Sequence, residues 1–159
     1  MYIDISINIL FMSKNYLYFY NNLVNLSRNK DLYKDFASSD EFSDRLIYFL
    51  LHFAFFFKIY KKKEDKILLQ EIYDFTFKQL ELSIREIGYG DQSINKKMKD
   101  YLNLFHSMID RFHFWDDYNE KQKIVELSKF ITKSQNTSFL LEYFEKYLLL
   151  LKKNTLNSY

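Results

Sequence analysis

Three side chains that could bind a metal ion recur along one predicted helix. His106, Asp110 and His113 stand at positions i, i+4 and i+7, a spacing that places them on one helix face. Imidazole and carboxylate groups are ligands of Zn²⁺, which could serve a helical metal-dependent enzyme. No second ligand cluster is evident on another predicted helix, so an ordinary helix surface is the preferred interpretation.

The segment Arg85–Asp91 is the most distinctive part of the chain. It contains Gly88 and Gly90, the only two glycines of a chain that has no proline. Because Gly88 follows an apolar helical pattern, we expect it to end that helix in the left-handed conformation. The segment predicts a joint between two helices, with a salt bridge and with Asp91 or Ser93 capping the second helix. The glycine spacing fits neither a phosphate loop nor a dinucleotide-binding turn.

Two groups of lysines could contact a ribosome, an anionic lipid or an acidic partner. They are Lys61, Lys62 and Lys63, and Lys96, Lys97 and Lys99. A solvated helix face is the simpler interpretation of each group alone. The chain has 23 basic and 21 acidic residues, a net charge of +2. This balance does not favour DNA as a partner, although a ribosome-binding or RNA-binding module stays an alternative.

The composition predicts an all-α fold, a single-domain bundle of about six helices. With 159 residues, two glycines and no proline, the chain can bury a core but cannot supply the turns of a sheet-rich fold. Residues 1–11 are expected to be extended or frayed, because residues 2–9 alternate between apolar and polar. The apolar pattern predicts helices over about 12–28, from a cap at 38 to about 62, 65–87, 94–115, 119–133 and 138–153.

Sequence signals at helix starts and one apolar run refine this prediction. Ser38 and Glu41 form a capping box before the second helix, and Thr137 is the expected N-cap of the last. The run Leu46–Phe57 is too short to cross a bilayer and predicts a buried central helix, or one at a membrane surface.

Several observations argue against an enzyme. The absence of cysteine excludes disulfides, thiolate metal sites and a cysteine nucleophile. Asp40, Asp44, Arg45 and His52 lie at or in the second helix, but no nucleophile elbow accompanies them. A buried ion pair and a core histidine are the preferred interpretation. We therefore predict a protein-binding domain without a cofactor, located in the cytoplasm or peripherally on the inner face of the membrane.

Several blocks of the sequence resemble the ubiquinol–cytochrome c chaperone family, which has bacterial members. The stretch Ser83–Asp91, SIREIGYGD, is similar to the family's SLREMGVGD, and the lysines at 96, 97 and 99 resemble its basic run. The resemblance covers about residues 16–112. Its upstream blocks are Leu17–Tyr18, Arg28, Leu32–Tyr33, Asp40, Arg45 and Leu51–His52. The chain departs from the family pattern at Asp44, Leu46, Gln79–Glu81 and His106–Ser107.

The resemblance implies a helical, non-enzymatic chaperone that holds newly made cytochrome b of the bc1 complex. It also implies contact with the ribosome and peripheral contact with the membrane. The residues that it marks for partner binding are Arg85, Glu86, Gly88, Gly90, Asp91, Lys96, Lys97 and Lys99, with Arg45 and His52 as further candidates.

Overall fold

The described part of the chain is mostly α-helical. The computed structural model describes residues 16–34, 42–61, 66–132, 134 and 136–156. The helices are α1 (Tyr16–Ser27), α2 (Phe42–Tyr60), α3 (Lys66–Ile87), α4 (Asp91–Phe112), α5 (Glu120–Phe130) and α6 (Thr137–Leu156). Short 3-10 turns cover Lys30–Tyr33 and Trp115–Asp117. The described ranges contain no strand, and the predicted all-α bundle is confirmed.

Helix α2 is the centre of the bundle. It packs against α1, α4 and α6, while α1 also packs on α3, α3 on α4, and α5 on α6. Every side chain from Leu50 to Phe56 is completely buried. A helix that is surrounded by neighbours needs apolar residues on all faces, which explains why this run lacks a polar stripe. The predicted buried central helix is confirmed, and no helix among the described residues is long and apolar enough to span a membrane.

Aromatic side chains of α2 join the N-terminal and C-terminal parts of the bundle. The ring of Phe55 stacks on that of Phe112, with centroids 4.2 Å apart and planes 4° apart. It also contacts Trp115 and Phe144. Offset and edge-to-face aromatic pairs contribute more than their buried area alone. The packing around Phe55 therefore ties α2 to α4, α6 and the 3-10 turn between α4 and α5.

Two of the predicted caps are wrong. Helix α4 begins at Asp91, three residues earlier than expected, and Gly90 occupies its N-cap without a side-chain hydrogen bond. Neither Asp91 nor Ser93 is the cap. The N-terminus of α6 is capped by Asn136, whose side chain accepts a hydrogen bond from the Phe139 amide at 3.0 Å, and Thr137 is the first helical residue.

Other predictions fall outside the described residues. They concern residues 1–11, the capping box at Ser38 and Glu41, Asp40, and the lysines at 62 and 63. A capping box that was not predicted is present at α5. There the Asn119 side chain accepts from the Gln122 amide, and the Gln122 side chain accepts from the Asn119 amide, both at 2.9 Å.

Candidate functional site

Arg85 ties the end of α3 to the start of α4. One guanidinium nitrogen lies 3.1 Å from the Glu81 carboxylate one turn earlier, and the other pairs with Asp91 across the turn. The salt bridge predicted for this joint is confirmed. All three side chains reach solvent, so the pairs add little to stability. They connect the last turn of α3 to the first residue of α4.

The two glycines of this turn are not equivalent. Gly88 has a φ of +104°, a conformation that residues with a Cβ rarely adopt, and the prediction for this residue is confirmed. Gly90 has a φ of −72° and a ψ of 159°, which are ordinary extended values. A Cβ would meet no atom within 4 Å at either position. Of the two glycines, only Gly88 meets a backbone requirement of the turn.

This difference gives a matched pair of substitutions. Gly88→Ala should lower the free energy of unfolding by about 1–2 kcal/mol, because alanine is strained at positive φ. Gly90→Ala should cost less, about 0.5 kcal/mol, because its extended backbone suits alanine although alanine is a poorer N-cap than glycine. Urea unfolding of both variants beside the wild type measures this. Equal effects of the two substitutions would contradict the assigned roles.

The lysines that follow the turn are solvated and lie among acidic residues. The Lys97 ammonium sits 4.5 Å from the centre of the Tyr89 ring, a cation–π contact, while Lys96 and Lys99 are exposed. Residues 81–100 carry four basic and four acidic side chains. A segment with no net charge attracts neither anionic lipid nor RNA strongly. The arrangement therefore favours a solvated surface with local pairing.

A groove of about 330 Å³ opens between α1, α2 and α3 beside this turn. Its floor is apolar and its rim is charged. We call it the α1–α2–α3 groove and define it by Leu46, Phe49 and Leu80 on the floor and by Arg28, Arg45, Glu86 and Ile87 on the rim. Ile87 is 52% exposed although it is apolar. The groove is thus continuous with the α3–α4 turn through Glu86 and Ile87.

The groove brings three of the family-like residues together from three separate elements. Arg28 follows α1, Arg45 lies in α2 and Glu86 in α3. The hydroxyl of Tyr20, which is hydrogen-bonded to Ser83 at 3.0 Å, lies in the same groove. Burial raises the pKa of Tyr20 and the Ser83 bond opposes this, while Glu86 raises that pKa further and Arg28 lowers it. Arg28 and Glu86 therefore both act on one hydroxyl of the groove.

His52 lies in the core and not in the groove. The side chain is completely buried, so it is not part of the partner-facing surface to which the sequence assigned it. Its Nδ1 lies 2.6 Å from the Tyr48 carbonyl oxygen, and its Nε2 lies 2.8 Å from the Tyr143 hydroxyl. Because a carbonyl only accepts, Nδ1 donates to it, and in the neutral ring that burial favours Nε2 accepts from the Tyr143 hydroxyl. Burial lowers the pKa of His52 from 6.5 to about 4.

The three potential metal ligands do not converge. The Nε2 of His106 is hydrogen-bonded to the Tyr73 hydroxyl at 3.0 Å, and the His113 ring packs against Phe114 just beyond the end of α4. Asp110 is exposed. Within the described ranges, no group of three His, Cys, Asp or Glu side chains could hold a metal ion. The described structure gives the metal-enzyme alternative no support.

Sequence reasoning did not find the groove itself. The floor residues Leu46, Phe49 and Leu80 are core residues, each 4% exposed, and a helical pattern does not show that a cavity opens over them. The one available signal was Ile87, an apolar residue at the very end of α3 beside the turn.

Comparison with known proteins supports the family resemblance. Residues 34–112 match a family described as Ubiquinol-cytochrome C chaperone. The match spans α2, α3 and α4, about half of the chain, and includes Arg45 and the α3–α4 turn. It begins after Arg28 and Leu32–Tyr33, so it does not reach the first blocks of the resemblance. No curated protein and no solved structure gave a significant match. On the evidence of residues 34–112, the chain belongs to the ubiquinol–cytochrome c chaperone family.

Proposed function

We propose that this protein is a non-enzymatic assembly chaperone that binds newly made cytochrome b of the bc1 complex. The family to which it belongs supports an assembly role with a protein client. Cytochrome b is the specific client of the proposal. We further propose that the protein acts without a cofactor. We place it in the cytoplasm or peripherally at the inner face of the membrane, where it would contact a newly made membrane subunit.

The proposed client-binding site rests on one observation. The rim residues Arg28, Arg45 and Glu86 come from three separate parts of the chain, yet they surround one groove with an apolar floor. A groove with an apolar floor and a charged rim is the usual surface for an amphipathic helix of a partner. Here the floor residues Leu46, Phe49 and Leu80 are each 4% exposed, and Ile87 supplies the exposed apolar side chain. A client rich in membrane helices would offer such a segment before assembly.

The α3–α4 turn forms the second part of the proposed client surface. Ile87, which is 52% exposed, lines the groove, and Tyr89, which is 42% exposed, lies two residues further along the turn beneath Lys97 of α4. Exposed apolar and aromatic side chains next to a groove are typical of contact residues in protein interfaces. We propose that Arg85 and Asp91 hold these two side chains in the binding arrangement, with the lysines at 96, 97 and 99 at its edge. Contact with a ribosome or with anionic lipid is the weaker proposal, because residues 81–100 have no net charge.

Affinity capture of cytochrome b tests the client and the site together. The tagged wild type, Arg85→Ala and Arg111→Ala are compared by quantifying cytochrome b in material captured from the native membranes. Arg111 is the matched control, because its side chain is 41% exposed against 40% for Arg85 and is paired with Glu126 at 3.1 Å. The wild type and Arg111→Ala should capture cytochrome b equally. Arg85→Ala should capture about fivefold less, which corresponds to a loss of about 1 kcal/mol of binding free energy.

The outcomes separate the two parts of the proposal. If the wild type does not enrich cytochrome b, the proposed client is wrong. If it does and Arg85→Ala captures as much as Arg111→Ala, the client stands and the assignment of the turn is wrong. Circular dichroism of each variant establishes that all three proteins are folded.

A further inference from the structure

The end of the bundle opposite the α3–α4 turn has an excess of positive charge. We call it the basic end and define it by the described residues 16–19, 57–61, 66–69, 109–117 and 149–153. These ranges contain six basic and three acidic side chains, a net charge of +3. Residues 62–65, between α2 and α3, contribute two basic and two acidic residues to the sequence and leave this balance unchanged. The basic end thus differs from the α3–α4 turn, where the charges cancel.

Two contacts place α6 and the turn after α4 beside the end of α2. The Tyr60 hydroxyl of α2 donates a hydrogen bond to the Leu151 carbonyl oxygen of α6 at 3.4 Å. The Lys58 ammonium lies 3.2 Å from the carboxylate of Asp116 in the 3-10 turn that follows α4. The last turn of α2 is therefore in contact with both neighbours.

Two further contacts place the beginnings of α1 and α3 at the same end. The Phe57 ring of α2 contacts the Tyr73 ring of α3, with centroids 6.3 Å apart. The Tyr16 hydroxyl at the start of α1 donates a hydrogen bond to the Glu71 carboxylate of α3 at 2.5 Å. The five ranges of the basic end therefore surround the last turn of α2.

The lysines of the basic end differ in how far their charges are already balanced. Lys58 and Lys152 share the carboxylate of Asp116, at 3.2 and 3.8 Å. Three other lysines are exposed and form no salt bridge with a described residue, namely Lys61, Lys66 and Lys153. Charges that are not balanced by a neighbour contribute most to the attraction of an anionic surface.

Exposed apolar side chains lie among these lysines. Ile67 and Leu149 are 69% and 60% exposed, more than any other large apolar side chain of the described residues. Ile67 adjoins Lys66, and Leu149 shares a face of α6 with Lys152 and Lys153 at spacings of three and four. Phe114 and Leu17 are also exposed at this end. Each of these side chains would gain free energy by leaving water.

We propose that the basic end binds the surface of a membrane that contains anionic phospholipids. The three exposed lysines contact the phosphate groups, while Ile67 and Leu149 enter the boundary between headgroups and acyl chains. Lysines beside apolar side chains suit this boundary, because it offers negative charge and an apolar medium together. An RNA backbone would attract the lysines but would leave the isoleucine and the leucine in water.

The position of the basic end separates membrane contact from client binding. The α1–α2–α3 groove lies at the beginning of α2 and the basic end at its end, and the 19 residues of this helix span about 28 Å. The two surfaces therefore do not overlap. The inference rests on the peripheral location that belongs to the proposed function, and it assigns that location to named side chains.

Vesicle binding tests the proposal with the full chain. Sedimentation with vesicles of phosphatidylcholine alone is compared with vesicles of equal parts phosphatidylcholine and phosphatidylglycerol, at physiological ionic strength. The wild type should bind the anionic vesicles more than about tenfold more strongly. A single-stranded RNA, measured by fluorescence anisotropy in the same buffer, serves as the alternative anionic partner.

Matched substitutions locate the charge effect. Lys66→Glu and Lys153→Glu, made separately, should each weaken binding to anionic vesicles about 30-fold. Lys30→Glu makes the same change in net charge at an exposed position. Lys30 belongs to the 3-10 turn that Tyr48 of α2 contacts, about 18 Å along α2 from Tyr60, which is beyond the screening length. This control should bind like the wild type, within about twofold.

A second pair of variants tests the apolar contribution. Ile67→Ser should weaken binding to the anionic vesicles about tenfold, because the side chain no longer leaves water on binding. Val125→Ser on α5, where the valine is 54% exposed, should leave vesicle binding unchanged. Circular dichroism establishes that each variant is folded.

Each other result overturns the proposal. Binding to neither vesicle, equal binding to both, or equal losses for Lys66→Glu and Lys30→Glu would show that the basic end is not a membrane surface. RNA binding that depends on Lys66 and Lys153, without vesicle binding, would assign this end to a nucleic acid. Cytochrome b capture is measured separately, so that either proposal can fail while the other stands.

Discussion

Phe53→Ala is expected to lower the free energy of unfolding by about 4 kcal/mol, the largest effect of any single substitution considered. The Phe53 side chain is completely buried at the middle of α2. Its ring contacts those of Phe19 on α1, Phe77 on α3 and Phe105 on α4, at centroid distances of 5.8, 6.0 and 4.9 Å. Alanine would leave a cavity where three helices meet the central one, and the rigid neighbouring rings cannot collapse into it fully.

The matched control for this prediction is Phe114→Ala. Phe114 is 54% exposed, so the same chemical change at that position should alter stability by about 0.5 kcal/mol or less. Urea unfolding followed by circular dichroism measures both variants under the same conditions. A loss for Phe53→Ala no larger than that for Phe114→Ala would contradict the arrangement of the core.

The second large effect is a dependence of stability on pH that comes from His52. Its pKa is about 4 in the folded protein and 6.5 in an ordinary setting, because burial disfavours the charged ring. Below pH 6.5 the unfolded chain binds a proton at this residue, while the folded protein stays neutral until about pH 4. The contribution of His52 to the free energy of unfolding is therefore fully present above pH 6.5. It is lost as the pH falls toward 4, by about 3 kcal/mol in total.

Comparison with His52→Gln isolates this contribution from that of the carboxylates. Glutamine keeps an uncharged hydrogen-bonding group but does not titrate in this range. Between pH 7 and pH 4, roughly the window of the shift, the variant should lose about 3 kcal/mol less than the wild type. His106→Gln, which removes an exposed histidine, should follow the wild type. Parallel curves for the wild type and His52→Gln would show that the ring of His52 is not held neutral.

The helices could largely be predicted from the sequence, whereas their exact beginnings could not. The end of α3 was correct because a single glycine, Gly88, is suited to a positive φ and ends an apolar pattern. The beginnings of α4 and α6 were wrong because adjacent residues could all act as caps. Asn136 and Thr137 both have suitable oxygens, and only the position of the Phe139 amide decides between them.

The site was predictable only in part, for a physical reason. The sequence predicted a salt bridge at the α3–α4 joint without naming its partners, and the structure forms it between Arg85 and Asp91 on either side of the turn. The groove depends on how α1, α2 and α3 pack, and a periodic pattern does not identify which helices become neighbours. The environment of His52 also depends on helix packing that the sequence pattern does not identify, since its partner Tyr143 is 91 positions away in the chain.

Site-specific cross-linking tests the central claim, that the groove and turn bind newly made cytochrome b, most directly. A photoreactive amino acid replaces Ile87 at the groove or, as the control, Val125 on α5, and the two positions are 52% and 54% exposed. Each protein is present while cytochrome b is synthesised in a cell-free system with membranes. Our account predicts a strong cross-link to cytochrome b from position 87 and little from position 125. Equal cross-linking from both positions, or none from position 87, would contradict it.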